Sequence, residues 1–283
     1  RITRPEQILQ SLPQAIQTML DPAECGPACL SLCQDVQGET FDYPEEFFKE
    51  RIHNIRRPRP DDFQIKQAVE KIKNSKKPII ISGGGVFYSD AMDELGNFAV
   101  KHNIPVTQTV MGYSTMKKDH SHFVGPIGGL GGKAANNLAK ETDLAICIGT
   151  KLADFTTGSW ANFENPEFKL VSINITRHDA NKHLGEAVIG DAKVTLTELS
   201  NAIGDWKSSD NWHKKSQDEL KSWNEYVDKE SGPTNQELPS YAHAVGAIYR
   251  NSDPTDIAVT AAGGLVGEVV QVWRPKELNT HET

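Results

Sequence analysis

The sequence predicts an α/β protein built around a parallel sheet with helices on both faces. Three observations carry that reading. The runs Pro78–Ser82 and Leu144–Ile148 are short and almost wholly apolar, and each breaks into glycine, at Gly83 and Gly149. Continuous apolar runs of this length belong to strands buried on both faces, and the glycines mark tight turns at the strand ends. Between Asp61 and Gly204, strand and helix signals alternate, as crossover connections between parallel strands require.

The chain opens on a helix over 4–20, with Leu9, Leu12, Ile16, Met19 and Leu20 at helical spacing. A turn over 21–27 leads into a short strand over 28–32. A lone helix and strand cannot bury their faces, so residues 1–40 read as the tail of an α/β domain that begins upstream. Residues 41–60 carry Pro44, Pro58 and Pro60 among charges of both signs and read as a linker.

In the centre, Asp61 and Asp62 cap a helix that runs through Ile65, Val69 and Ile72 to Asn74. Strand 78–82, helix 90–102 and strand 105–109 follow. The glycines of Gly128–Gly132 open a helix over 133–141, which leads to strand 144–148. Strands 170–175 and 187–189 and a helix over 191–203 complete a Rossmann-like domain over 61–204. Residues 205–239 form a polar connector with a helix over 212–229, striped by Leu220, Trp223 and Val227. A helix over 240–250 and a strand over 257–260 begin a third domain, 240–283, whose polar end offers no closing element. The outer pieces are thus partial α/β domains flanking the central one.

The chain has 283 residues, a formal net charge of -8 and 37% hydrophobic residues. The acidic balance speaks against a nucleic-acid partner, and the basic cluster at 51–59 is broken by prolines. No apolar run is long enough for a membrane-spanning helix, and the first residues have no signal-peptide character, so a cytoplasmic location is expected. Cys25, Cys29 and Cys33 are evenly spaced but form no Cys-x-x-Cys pair and have no histidine nearby. With Cys147 they read as thiols of a reducing compartment, and no metal site is expected. Asn174-Ile-Thr176 matches a glycosylation sequon without a secretory context.

Several motifs are candidates for chemistry. Gly128–Gly132 could form an anion-binding nest at a helix N-terminus beside Lys133. His120 and His122 have no third ligand in sequence and read as residues of a surface loop. Asp154 reads as a loop-fixing acceptor of backbone hydrogen bonds, and Trp160 and Phe163 as packing residues between domains.

The layout resembles the thiamine-diphosphate-dependent enzymes of the acetolactate-synthase-like superfamily, which have pyrimidine-binding, central and diphosphate-binding domains. Gly26-Pro27 and Gln34-Asp-Val-Gln37 resemble the end of the family's first domain. Gly149 to Gly158 is similar to its Gly-x-Arg-x-x-Asp-x-x-Thr-Gly pattern, with Lys151 for the arginine, and Gly190-Asp191 matches the start of its last central helix. Within the superfamily, Phe41-Asp-Tyr-Pro44, Met111-Gly-Tyr-Ser-Thr115, Lys151 to Ser159 and Thr260-Ala-Ala-Gly-Gly264 are most similar to the hydrolases that open a cyclic 1,2-diketone ring in myo-inositol degradation. The resemblance implies C–C bond hydrolysis of a small cyclic diketone with thiamine diphosphate and magnesium, and a homodimer or tetramer when full length.

By the same resemblance, residues 1–40 end the pyrimidine-binding domain and residues 240–283 begin the diphosphate-binding domain. The family's catalytic glutamate would lie before Arg1 and its Gly-Asp-Gly metal motif beyond Thr283. This chain is therefore expected to hold no catalytic residue and no metal ligand, to bind no cofactor and to be inactive alone. The one cofactor-facing segment it implies is Gly263, Gly264 and Leu265, whose backbone would look toward the diphosphate in the full-length enzyme. Some relatives hold a flavin or adenine nucleotide in the central domain. Here Asn174 and Thr176 replace the family's acidic pair, Ala153-Asp154 stands for its Asp-Asp, and Phe155 for its arginine, so a central domain without nucleotide is expected. The alternatives are acetolactate-synthase-like carboligation or decarboxylation, and a stand-alone nucleotide-binding module using Gly128–Gly132.

Overall fold

A computed structural model describes residues 1–282, which divide into a first compact unit, Arg1–Arg57, and a second from Pro58 onward. In the first unit a 3-10 turn at Pro5–Gln7 leads into α1 (Ile8–Leu20), which carries Pro13 in its interior and buries none of its residues. The expected strand over 28–32 does not form. Its one ladder contact is a parallel bridge between Leu32 and Ile2, and with a single bridging residue there is no ladder to hold the rest extended. The stretch read as linker has local order as well: Glu45–Phe48 makes a 3-10 turn, and Tyr43 contacts the rings of Phe41, Phe47 and Phe48.

The second unit is organised by a six-stranded parallel sheet with strand order β3-β2-β1-β4-β5-β6. Its strands are β1 (Pro78–Ser82), β2 (Val106–Gln108), β3 (Phe123–Pro126), β4 (Leu144–Ile148), β5 (Lys169–Asn174) and β6 (Glu186–Ile189). Successive residues of a strand point to opposite faces, and here both faces are apolar. Ile80, Leu144, Ile146 and Ile148 join α2 (Asp62–Asn74), α4 (Met92–His102) and α8 (Ala192–Ile203) in one core. Ile79, Ile81, Ala145 and Cys147 point the other way, onto α5 (Lys133–Glu141) and Trp212 of the long helix α9 (Asp210–Glu230). This is the Rossmann-like sheet with helices on both faces that the apolar runs predict.

Polar residues set the ends of these helices. The Asp61 carboxylate accepts the Gln64 N–H at the start of α2. Asp191 caps α8 by accepting the N–H groups of Lys193 and Val194, and its other oxygen accepts the Ser89 hydroxyl. The Gly190-Asp191 pair therefore has a structural function: a side chain at 190 would run into Pro60 and Thr195.

Strand β3 has no counterpart in the sequence reading. It is an edge strand of four residues with Gly125 and Pro126 inside it, residue types that weaken a strand signal and are tolerated at an edge. The C-terminal region also departs from expectation. Helices α10 (Tyr241–Asn251) and α11 (Gly264–Val272) pack with the last turns of α9 through Val227, Val245, Tyr249, Val269 and Trp273. The polar end is not loose: His281–Glu282 forms β8, parallel to β7 (Ala258–Val259). Three shorter helices complete the unit: α3 (Gly85–Tyr88), α6 (Asp154–Thr157) and α7 (Arg177–Asn181).

Candidate functional site

In an open doubly wound sheet the strand order reverses at one point, and ligands enter the crevice beyond the carboxyl ends of the strands there. In this sheet the reversal lies between β1 and β4, so the crevice would be flanked by the turns at Gly83–Gly85 and Gly149–Thr150. Those turns touch. The Gly83 N–H donates to the Ile148 carbonyl and the Gly85 N–H to the Gly149 carbonyl, each at 2.9 Å. A Cβ on Gly85 would lie 2.6 Å from the Gly149 Cα, and one on Gly83 2.5 Å from the Gly149 oxygen. Gly149 itself has a φ of 60°, a left-handed conformation that glycine takes without strain. The glycines that mark the turns at these two strand ends are there because two backbones meet.

A second layer covers the same edge. The loop from Met111 to Met116 crosses the end of β1, where the Ser82 and Thr115 hydroxyls lie 2.8 Å apart. The buried Gln108 amide donates to the Thr115 hydroxyl and the Met116 carbonyl. Ser114 then anchors the C-terminal segment, its hydroxyl accepting the Thr280 N–H and its carbonyl the Asn279 N–H. Tyr113, fully buried in this loop, has its phenol pKa pushed up by desolvation. The carboxyl edge at the switch point is thus closed by protein.

The Gly128–Gly132 nest is likewise occupied from within. Its N–H groups donate to protein acceptors: Gly128 to the Asn136 side chain, Gly129 to the Phe155 carbonyl, Gly131 to the Gly128 carbonyl and Gly132 to the Pro126 carbonyl. The Trp223 indole on α9 lies where a side chain at 132 would begin. An anion there would have to displace four internal hydrogen bonds and a tryptophan. The residues that replace the family's acidic positions also have internal work. The Asn174 amide donates to the Thr150 carbonyl and its oxygen accepts the Thr176 N–H, and at 7% exposure it offers no sequon to modify.

Three expectations for single residues are corrected. His122 is not in a surface loop: it is buried, stacked on His213 of α9 at 4.2 Å, and hydrogen-bonded to Ser121 and Asn103. Burial and the neighbouring His213 and His120 push its pKa down to about 4. In the Asp154 loop, it is the residue's backbone carbonyl that accepts N–H groups, from Gly158 and Ser159. Trp160 and Phe163 pack onto the α5-side core of this same sheet instead of between domains. No group of three or more His, Cys, Asp or Glu among the described residues could hold a metal ion. Cys25, Cys29, Cys33 and Cys147 are free thiols, with Cys147 buried in the sheet and its pKa pushed up by desolvation.

Gly263, Gly264 and Leu265 lie together at the N-terminus of α11, on an exposed turn. Gly263 has a φ of 130°, and an added Cβ on Gly263 or Gly264 would meet nothing within 4 Å. Unlike the turns at Gly83–Gly85, Gly149 and Gly128–Gly132, this one has open space beside its glycines.

In this sheet the switch point and the Gly128–Gly132 turn are both filled by internal hydrogen bonds. Residues 65–199 match the family described as thiamine pyrophosphate enzyme, central domain. Over nearly its whole length the chain is also similar to proteins named 3D-(3,5/4)-trihydroxycyclohexane-1,2-dione hydrolase. Identity is 37% over 96% of the chain for the protein of Clostridium perfringens strain 13, and 37% over 99% for that of Bacillus licheniformis. The chain spans about half the length of these curated relatives, 46% and 48% respectively. No helix among the described residues is long and apolar enough to cross a membrane.

Proposed function

We propose that this chain is the central part of a thiamine-diphosphate-dependent hydrolase that opens the ring of trihydroxycyclohexane-1,2-dione by C–C bond hydrolysis in myo-inositol degradation. The observation that carries the proposal is the 37% identity, over nearly all of the chain, to hydrolases of that name. In this reading the closed sheet holds the neighbouring domains in place and contributes no reacting group. The protein would work in the cytoplasm on a small cyclic diketone, as a homodimer or tetramer.

The turn at Gly263, Gly264 and Leu265 fits the diphosphate end of the cofactor. Its two glycines leave the approach clear, and Gly263 at the N-cap supplies no side-chain acceptor to the first N–H groups of α11. When bound, thiamine diphosphate supplies the carbanion that attacks a carbonyl and the electron sink that accepts its electrons. Backbone N–H groups of this chain would orient the diphosphate. Magnesium would be held by residues other than those described here. The test is product analysis with the full-length protein, thiamine diphosphate, magnesium and the cyclic dione. The proposal requires one acyclic carboxylic acid per ring consumed. Formation of acetolactate from pyruvate, with the dione untouched, would assign the protein to carboligation instead.

A further inference from the structure

A groove of about 490 Å3 runs between the last turns of α9, the start of α10 and the later turns of α11. Its walls follow from helical spacing. Trp223, Tyr226 and Glu230 lie three and four residues apart on α9, and Glu268 and Gln271 three apart on α11, so each helix turns one face to the groove. Tyr241, the first residue of α10, supplies a further ring. The Trp223 and Tyr226 rings stack at 5.5 Å. Tyr226 and Tyr241 are 55% and 68% exposed, so both are open to a molecule arriving from solvent.

The charge in the groove is of one sign. Glu230 and Glu268 line it, and no lysine, arginine or histidine among the described residues does. Neither glutamate has an ion pair or a side-chain hydrogen bond among the described residues, whereas Asp228 on the same stretch of α9 pairs with Arg274. The hydroxyls of Tyr226 and Tyr241 and the Gln271 amide are likewise without a hydrogen-bond partner among the described residues.

These walls select by charge and shape. An anion would meet two carboxylates. A wholly apolar molecule would strip water from both and return no pairing, which is costly. A metal ion such as calcium needs six or more oxygen ligands, and no group of three acidic or metal-ligating side chains among the described residues could supply them. One ammonium group would pair with one carboxylate and strand the other. We infer that the groove binds an aliphatic polyammonium ion: two or more ammonium groups joined by methylenes. Its ends pair with Glu230 and Glu268 through charge-assisted hydrogen bonds, and its spacer lies along the rings, which attract adjacent cationic charge. The volume falls within the range of small-molecule sites, about 300–1,000 Å3. The groove does not include the turn at Gly263 and does not rest on the proposed reaction.

Spermidine is the probe, titrated calorimetrically into the 283-residue chain at physiological ionic strength, where loose attraction to the acidic surface is screened. Butylamine supplies a single ammonium, magnesium supplies charge without a spacer, and succinate reverses the charge. The expected result is one-to-one binding of spermidine, at least tenfold weaker binding of butylamine, none of succinate, and no displacement of spermidine by equimolar magnesium. Glu268→Gln, which keeps the helix and the side-chain shape, weakens binding at least tenfold with an unchanged melt, and Tyr226→Leu weakens it severalfold. Glu225→Gln, an exposed carboxylate of α9 outside the groove, removes the same charge and binds like the wild type. The inference is overturned if spermidine shows no saturable binding or is displaced by equimolar magnesium. It is equally overturned if Glu268→Gln binds like the wild type, or if Glu225→Gln weakens binding as much as Glu268→Gln does.

Discussion

Replacing Gly85 with alanine tests the contact that closes the switch point. The new methyl carbon would lie 2.6 Å from the Gly149 Cα and 3.0 Å from the Gly149 oxygen. Non-bonded carbons settle at about 3.5–4.0 Å, so the two turns must part by about 1 Å. Both atoms it meets belong to backbone, which cannot rotate away as a side-chain tip can. Overpacking of this kind costs about 1–3 kcal/mol, and weakening the Gly85 to Gly149 hydrogen bond adds about 1 kcal/mol. A total of about 3 kcal/mol follows. For a unit of this size each kcal/mol lowers the melting temperature by roughly 2–4 °C, so the expected fall is about 6–12 °C. Thermal unfolding followed by circular dichroism measures it, with Gly264→Ala as the control, since its added Cβ meets nothing within 4 Å. If Gly85→Ala melts within about 2 °C of the wild type, the turns are not in contact and the crevice is open to a ligand.

Further outcomes follow from the same contacts. Trp212 donates its indole N–H to the Pro78 carbonyl and is 3% exposed; Trp212→Phe should cost about 1–2 kcal/mol in urea unfolding and Trp212→Ala about 3–5 kcal/mol. Removing the cap with Asp191→Ala, which also strands the Ser89 hydroxyl, should cost about 1–2 kcal/mol in the same assay. Burial holds the pKa values of His122 and His281 down to about 4, and lowers those of His102, His120 and His213. The unfolded chain takes up these protons near pH 6.5 and the folded chain does not, so the stability is complete above pH 6.5 and is lost as pH falls toward 4. His122 alone should account for about 1–2 kcal/mol of that loss after allowance for solvent screening, and melts of His122→Asn between pH 7 and pH 5 should show a shallower slope. In the full-length protein, Gly264→Val should leave the melt unchanged and raise the thiamine diphosphate concentration needed for half-maximal activity at least tenfold.

How much of this was legible in the sequence depended on whether the signal was local. Strands β1 and β4 could be read because Ile79–Ile81 and Leu144–Ile148 are buried on both faces and leave no polar residue to confuse the pattern. Helices with a capping aspartate, at Asp61 and Asp191, were placed to within a residue. The run over 28–32 failed because strand formation needs a partner, and an apolar composition does not supply one. Strand β3 was hidden by its own glycine and proline, and β8 by two polar residues that hold a strand only because β7 lies beside them. The same limit governs the sites. Glycine after a strand is the signal for both a ligand-facing turn and a backbone crossing, and only the distance between Gly85 and Gly149 separates the two. His122 looked exposed because its stacking partner, His213, is ninety-one positions away. Glu230 and Glu268 carried no signal at all, since nothing in their local sequence shows that they share a groove with Trp223 and Tyr226.

The most direct test of the scaffold account is calorimetric titration of residues 1–283 with FAD and with ADP. The account predicts no binding heat from either at the Gly128–Gly132 nest or the switch point, because both are filled by internal hydrogen bonds. One-to-one binding of FAD or ADP that is lost on Gly131→Ala, or gained in affinity on loosening the turns with Gly85→Ala, would show that the central sheet is a nucleotide site, contradicting the account.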